Sequence, residues 1–538
     1  MSARPRTARA GNVRGVLIVP GSLVAERRLL PRWVDVTVLT DGRPVRYRRR
    51  LDRPDRPWVR GGSADSVGGD AIPPPDGRRA PNSPSAEQLG ADSRHLRGVE
   101  TVVAGGRTLA LADEDGSVFE YRLTTAGRWE RVACLRLDDA TPFEVAGTES
   151  VKIAQVTGDR DATPTPWGER AATLSSSVAT AGIRGADLGV RVDHGGRTFL
   201  LFGDTHWTRP WLSTRDSIAE VLPGGDLPGV RFHGSPLKLV GRAAGRVTMR
   251  EYDVPLDGFS SGGRLYGLFS TNHFRGDRVM GRSVLARAVD ADPVIDPAVR
   301  RRPVRFEVLG TFSDRHFINA SVQLRPASAV PGFGSDGEVL LVWGSGPYRA
   351  SEPRLAVLDA PALRGLWITE RKRNRPLFVQ GSGFGVRYWT GSGWSDAEAD
   401  ARPLFTPAAL GELSVRWVEA AGRYVMLYAS APEDPIGPAV VLRTAPQPWG
   451  PWSPRVRLLD WVATGMSIDP HTRFIKASRD DEAVGDRIFR AQASGTGAAY
   501  APYLFDAVAD GDDLVIRYTL STWNPYQVVL MRHRLPLR

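Results

Sequence analysis

The chain has 538 residues, 41% hydrophobic and 24% charged, the make-up of an ordinary water-soluble globular protein. Its single cysteine, Cys134, excludes an intrachain disulfide and any cysteine-built metal site, and no stretch approaches the ~18 apolar residues of a membrane-spanning helix. The net charge of +11 is concentrated, because residues 1–60 hold fifteen Arg against five Asp or Glu and leave the rest almost neutral. A basic arm on a neutral body argues against specific nucleic-acid recognition.

The chain opens with basic residues ahead of Val16-Leu17-Ile18-Val19-Pro20, an apolar stretch too short and too soon broken by proline for a secretion signal. It reads as a strand, and localisation stays open. Residues 1–60 form a basic β-rich segment, with Trp33-Val34-Asp35-Val36-Thr37-Val38-Leu39 followed by the hairpin signal Asp41-Gly42. Residues 61–95 are rich in Gly, Ser, Pro and Asp and read as a linker. Residues 96–147 read as a small β-meander, with Gly-Gly and Asp-Gly turns between apolar strands.

From residue 148 to 538 one pattern recurs five times: a strand, a Gly/Asp turn, a second apolar strand ending in small or polar residues, and a third strand. The second strands are Thr198–Phe202, Leu265–Phe269, Val339–Trp343, Tyr424–Tyr428 and Leu514–Tyr518. The third strands begin near Ser217, Ser283, Leu355, Val440 and Val528. Helix signals are scarce, single turns at Pro361–Arg364 and Pro407–Leu410 at most. The fold class expected is all-β: a five-bladed β-propeller with a small N-terminal β-rich extension.

A propeller forms small-molecule sites where its inner strands begin, so chemistry is sought there and just after each second strand. The strand starts supply Asp187, Asp253 or Asp257, Asn319, Glu412, and Tyr500 or Tyr503. The ends of second strands supply Asp204, His206, Trp207, Asn272, His273, Tyr348, Trp523, Asn524 and Tyr526. Acids, amides and aromatics around one funnel suit sugar cleavage. One carboxylic acid protonates the leaving oxygen, and another carboxylate activates water or attacks directly. A third acid keeps the first protonated by like-charge repulsion, and aromatic faces stack on the sugar ring. Asp187, Asp204 and Glu412 are the catalytic candidates; the remaining members are substrate-binding candidates.

Each residue also has a plainer reading. Asp204 in Gly203-Asp204-Thr205 could close an Asx turn, Glu412 could cap the preceding turn, and Asp216 could pair with Arg215. His273 and His316 could be loop histidines, and Trp449 and Trp452 outer-blade packing. No phosphate loop or helical His pair is present, so no cofactor and no metal site is expected. A polysaccharide is the expected partner, and a monomer the expected state.

Several segments carry a resemblance: Val151–Gly158, Gly185–Val190, Leu201–Thr205, Gly411–Ser414, Pro448–Ser453 and Trp523–Leu530. Together, over roughly 150–538, they are similar to the domain of unknown function 4185, a family associated with endo-D-arabinanases of glycoside hydrolase family 183. The resemblance implies a five-bladed propeller that hydrolyses cell-wall arabinan of the mycobacterial type with acids of the first blade. On matching positions those acids are Asp187 and Asp204; Glu412 is added from its placement alone. The family pattern has Thr where this chain has Ala186. The alternative reading is a non-catalytic propeller that binds carbohydrate or a protein partner through the same funnel.

Overall fold

The computed structural model describes residues 150–537 except 165–169, 213, 225–226, 242–250, 273–280, 347–350, 360, 364–378, 381–383, 406–409, 431–437 and short runs between 468 and 494. It also describes the backbone of nine strands between residues 18 and 136. The hairpin expected around Asp41-Gly42 joins Trp33–Thr40 to Arg43–Arg50, within a five-stranded antiparallel sheet. Four further strands, Arg97–Val103 to Trp129–Arg136, make an antiparallel meander. Residues 64–96, within the stretch read as a linker and its flank, lie outside the described residues.

Five sheets form a five-bladed β-propeller. Blade one runs outward from Ile183–His194 through Arg197–Trp207 and Ser217–Leu222 to Gly229–Phe232. The inner strands of blades two to five are Pro255–Ser261, Asn319–Pro326, Leu410–Val418 and Ala499–Asp510. Their second strands are Arg264–Thr271, Glu338–Ser345, Arg423–Ala429 and Asp513–Thr522, each covering the expected apolar run. The ring closes by pairing the first propeller strand, Val151–Gln155, with the last, Gln527–Pro536. Among the described residues helix is confined to short turns such as Ser177–Ala181, which carries no apolar periodicity long enough to read from sequence.

The second strands read as unbroken apolar runs because a blade has a neighbour on both faces. Val339-Leu340-Leu341-Val342-Trp343 is buried throughout, divided between packing toward blade two and blade four. Trp449 stacks on Trp389 with centroids 4.9 Å apart, in the outer-blade packing role read for it.

Each inner strand is an edge, and its channel-side N–H groups have no partner within their own sheet. The preceding blade supplies that partner through a side chain. Asp257 accepts from Val322 at 2.8 Å, Ser321 from Val415 at 2.9 Å, Ser414 from Leu504 at 3.1 Å and Ser521 from Leu188 at 2.7 Å. Arg416 of blade four crosses the channel to Asp257 of blade two, with two contacts of 2.8 and 2.9 Å. It also donates to the Val322 and Arg191 carbonyls of blades three and one. The Asp257 side chain is fully buried.

Four inner strands carry register shifts where they enter the channel. These fall at Gly185/Asp187 and Leu188/Val190, at Pro255/Asp257, at Leu410/Leu413 and at Tyr500/Tyr503. A bulge bends a strand and re-aims its side chains, so the channel mouth is built from redirected residues.

Asp257→Ala strips a buried guanidinium of its counter-ion. A loss of about 3–5 kcal/mol is expected by urea unfolding; a loss under 1 kcal/mol would show the tie to be dispensable.

Candidate active site

Asp187 and Asp204 face each other across the first hairpin of blade one, where Asp187 pairs in register with Gly203. Gly203 is required by that approach. A Cβ there would meet the Asp187 Oδ1 atom at 2.6 Å and Val254 Cγ1 at 2.5 Å. Asp204 adopts a left-handed backbone (φ 31°), and Leu188, beside Asp187, has φ 69°. Similar positive angles adjoin the other funnel residues: Gly411 before Glu412, Ala501 after Tyr500, and Asn272 itself. Strain of this kind clusters where the fold over-determines a site.

The Asp187 Oδ2 atom accepts from the Tyr500 hydroxyl at 3.1 Å. The Asp204 Oδ2 atom accepts from the Tyr252 N–H at 2.9 Å, and the Asp204 carbonyl accepts from the Tyr526 hydroxyl at 3.1 Å. The remaining Oδ1 atoms of Asp187, Asp204 and Asp216 are buried with no hydrogen-bond partner among the described residues. Their residues are 6%, 7% and 3% exposed. Leaving a buried polar atom unmade costs roughly 1–3 kcal/mol, so folding alone does not favour this arrangement.

The carboxyls resist ionisation. Burial, then the charge of Glu412, pushes Asp187 up to about 7, with the Tyr526 and Tyr500 hydroxyls opposing the rise. Burial, then the charges of Asp187, Glu251 and Asp253, raises Asp204 well above the usual carboxylate range, with the Tyr252 N–H opposing. Asp216 is likewise raised by burial and by Asp204, Asp187 and Asp253. Burial, with Arg184 adding, pushes His206 down to about 4, so its imidazole is neutral at pH 7.

Around the acids lies an aromatic wall. Phe489 stacks on Trp523 at 4.8 Å, and His206 packs edge-on against Phe489 at 4.1 Å and Tyr526 at 5.4 Å. The His206 Nε2 atom and the Asn319 Nδ2 atom are buried without a partner among the described residues.

The structure thus gathers Asp187, Asp204, Glu412, His206, Trp523 and Tyr526 around one mouth, where Asn272 and Asn319 occupy the corresponding strand ends of blades two and three. It places two other candidates in the scaffold. Trp207 is 2% exposed, packs in the blade-one core and donates its indole N–H to the Arg215 carbonyl at 3.0 Å. Asn524 is buried, and its amide donates to the Gln492 and Gly495 carbonyls. His273 and Tyr348 lie outside the described residues.

Two alternatives are resolved. Asp253 joins the acid group while Asp257 holds Arg416, and Tyr500 binds Asp187 while Tyr503 packs in the core. Asp216, weighed in sequence as a partner of Arg215, has its electrostatic neighbours among the acids. Phe489 had no signal in the sequence, since it lies on a loop between blades with no strand pattern.

Residues 382–532 match the model of a domain of unknown function, DUF4185. The DUF4185 match bears out the resemblance over the end of blade three and blades four and five, and includes Glu412, Tyr500, Trp523 and Tyr526. Asp187 and Asp204 lie N-terminal to it. No curated protein matches the chain. Among solved structures, similarity is found to an exo-beta-1,3-galactanase from Phanerochaete chrysosporium, at 10% identity and TM-score 0.35 over 71% of this chain and 64% of that one. A GH43_1 enzyme from Xanthomonas citri, complexed with xylotriose, is similar at 12% identity and TM-score 0.32, over 66% of this chain and 91% of that one. An exo-1,5-alpha-L-arabinanase from a bovine ruminal metagenomic library is similar at 10% identity and TM-score 0.30, over 65% and 93%.

Two outcomes follow from the acid pair. A carboxyl raised from 3.8 to about 7 binds more protons folded than unfolded, so stability falls as pH rises between those values and levels off above. Asp187→Asn removes that loss. By urea unfolding the variant should match the wild type at pH 4 and exceed it by roughly 2–4 kcal/mol at pH 8; equal curves at both would refute it. Gly203→Ala should cost about 1–3 kcal/mol and displace the Asp187 carboxyl, visible in a crystal structure.

Proposed function

We propose that this protein is a glycoside hydrolase that cleaves arabinofuranosyl linkages in cell-wall arabinan or a related polysaccharide. The observation that supports it is the facing pair Asp187 and Asp204. Both are buried, the charge of Asp187 makes ionisation of Asp204 harder, and each leaves one oxygen without a partner among the described residues.

In this reading Asp204, whose proton is favoured by burial and by the charge of Asp187, is the general acid. It donates its proton to the glycosidic oxygen as the bond from the anomeric carbon to that oxygen breaks. Asp187, poised near 7, is the partner carboxylate. It either takes a proton from the attacking water or bonds to the anomeric carbon until water replaces it. Glu412 tunes Asp187 by its charge. Tyr500 orients the Asp187 carboxyl. Neutral His206 and the Asn319 amide offer hydrogen bonds to sugar hydroxyls, and the Phe489–Trp523 stack offers an apolar face to a ring. Arabinan as the polymer rests on the resemblance carried by Gly185–Val190, Leu201–Thr205 and Trp523–Leu530.

The test is product release from purified arabinogalactan. The wild type should yield arabino-oligosaccharides, with a rate that rises as pH passes through the Asp187 value near 7 and falls again at higher pH. Asp187→Asn and Asp204→Asn, confirmed folded by circular dichroism, should lose at least about 100-fold. No product from folded wild type on any arabinan would sink the hydrolase and leave a carbohydrate-binding propeller.

A further inference from the structure

Two exposed aromatic residues adjoin Asp204. Trp211 is 76% exposed and Tyr252 42%, and among the described residues no other Trp, Tyr or Phe is as exposed as either. Tyr252 is tied to Asp204 directly, its N–H donating to the carboxyl at 2.9 Å. Trp211 lies in the loop that leaves the mouth end of the second strand of blade one at Trp207 and then turns back. The Thr214 N–H donates to the carbonyl of Thr205, the residue after Asp204, at 3.1 Å. The chain from Trp211 to Thr214 spans at most about 11 Å. The loop therefore stands on the mouth face, just outside the acids.

This loop is fastened along its length. The Thr208 N–H donates to the Gly182 carbonyl at 2.8 Å, the Leu212 N–H to the Arg209 carbonyl at 3.0 Å and the Arg215 N–H to the Leu212 carbonyl at 3.1 Å. The Trp207 indole N–H donates to the Arg215 carbonyl at 3.0 Å. Arg209 lies over the Trp207 ring at 5.6 Å and donates to the Gly234 carbonyl at 2.9 Å. Trp207, 2% exposed, thus serves as the anchor, whereas Trp211 is left in water. Folding gains little from an indole held there.

We infer that Trp211 is a sugar-stacking platform outside the catalytic mouth, and that its ligand is a further stretch of the polysaccharide whose bond is cut between Asp187 and Asp204. The inference rests on the proposed hydrolase for the identity of the polymer. Two observations choose this occupant over a protein. A stable protein interface buries on the order of 1,000 Å² or more with a contiguous apolar centre. Trp211 has instead polar neighbours in its loop, with Thr208 and Arg215 exposed. A lone flat ring suits the C–H face of one sugar. The platform is also continuous with the mouth, where Tyr252 holds the Asp204 carboxyl and the Phe489–Trp523 stack stands on the blade-five side. Contacts to parts of a substrate remote from the cleaved bond add binding without taking part in the chemistry.

The test is affinity electrophoresis through gels holding soluble arabinogalactan, run with wild type, Trp211→Ala and Trp211→Phe. The substitutions fall on an exposed side chain, so the three urea midpoints should agree. Trp211→Ala should need about tenfold more polysaccharide for the same retardation, and Trp211→Phe should recover most of the loss. In turnover the change should fall on KM for arabinogalactan and not on kcat. A wild type that is retarded yet hydrolyses nothing, beside a Trp211→Ala that runs free, would sink the hydrolase and keep the platform. Equal retardation of wild type and Trp211→Ala, or an unretarded wild type, would overturn the platform. So would a wild-type dimer in sedimentation that Trp211→Ala converts to monomer, since the ring would then belong to contact with a second copy of the chain.

Discussion

The ion pair between Asp257 and Arg416 ties the propeller across its axis. A blade is stable only as part of a closed ring, because each of its faces is covered by a neighbour. The inner strands do not belong to a common sheet, so no backbone ladder joins them. Side chains bridge them instead: Asp257, Ser321, Ser414 and Ser521 each receive an N–H from the next blade. Arg416 completes the set by reaching blades one, two and three from blade four.

That tie has an electrostatic consequence for the mouth. Asp253 lies four residues before Asp257 and Glu412 four before Arg416, in each case on the far side of or within the bulge at the strand start. The guanidinium is saturated by Asp257 and by carbonyls at the deeper level. The acids at the mouth therefore face one another without that cation between them, and burial with the charges of neighbouring acids raises Asp187, Asp204 and Asp216 above the usual carboxylate range. One end of the channel spends its polar groups on holding the ring. The other leaves polar oxygens unmatched and backbone angles strained at Leu188, Asp204, Asn272 and Ala501. The unmatched end is where binding a polyhydroxylated ligand would recover lost hydrogen bonds.

Much of the fold was legible because its signals are local. Each second strand is an uninterrupted apolar run between turn residues, and five such runs in order define five blades. The acids of blade one were legible for a related reason: a carboxylate beside an apolar strand, as in Gly185-Ala186-Asp187-Leu188, needs a solvated or functional destination. The site was less so. Trp207 ends the same strand as His206, yet it turns into the blade core while His206 meets the aromatic wall. Adjacent residues on a strand point to opposite faces, and a sequence does not say which face is the mouth.

From the sequence alone came the strand order, the number of blades and the two facing acids of blade one, since apolar runs, turn residues and charge placement act over a few neighbouring positions. Tertiary structure decided which of Asp253 and Asp257 serves the mouth and which of Tyr500 and Tyr503 reaches Asp187. It also brought Asp216 into the company of the mouth's acids and Phe489 onto Trp523. The reason is the bulges at the strand starts and the closure of the ring. A one-residue shift in register reverses which side chains face the channel, and a closed ring brings together residues more than three hundred positions apart, as Tyr500 and Asp187 are.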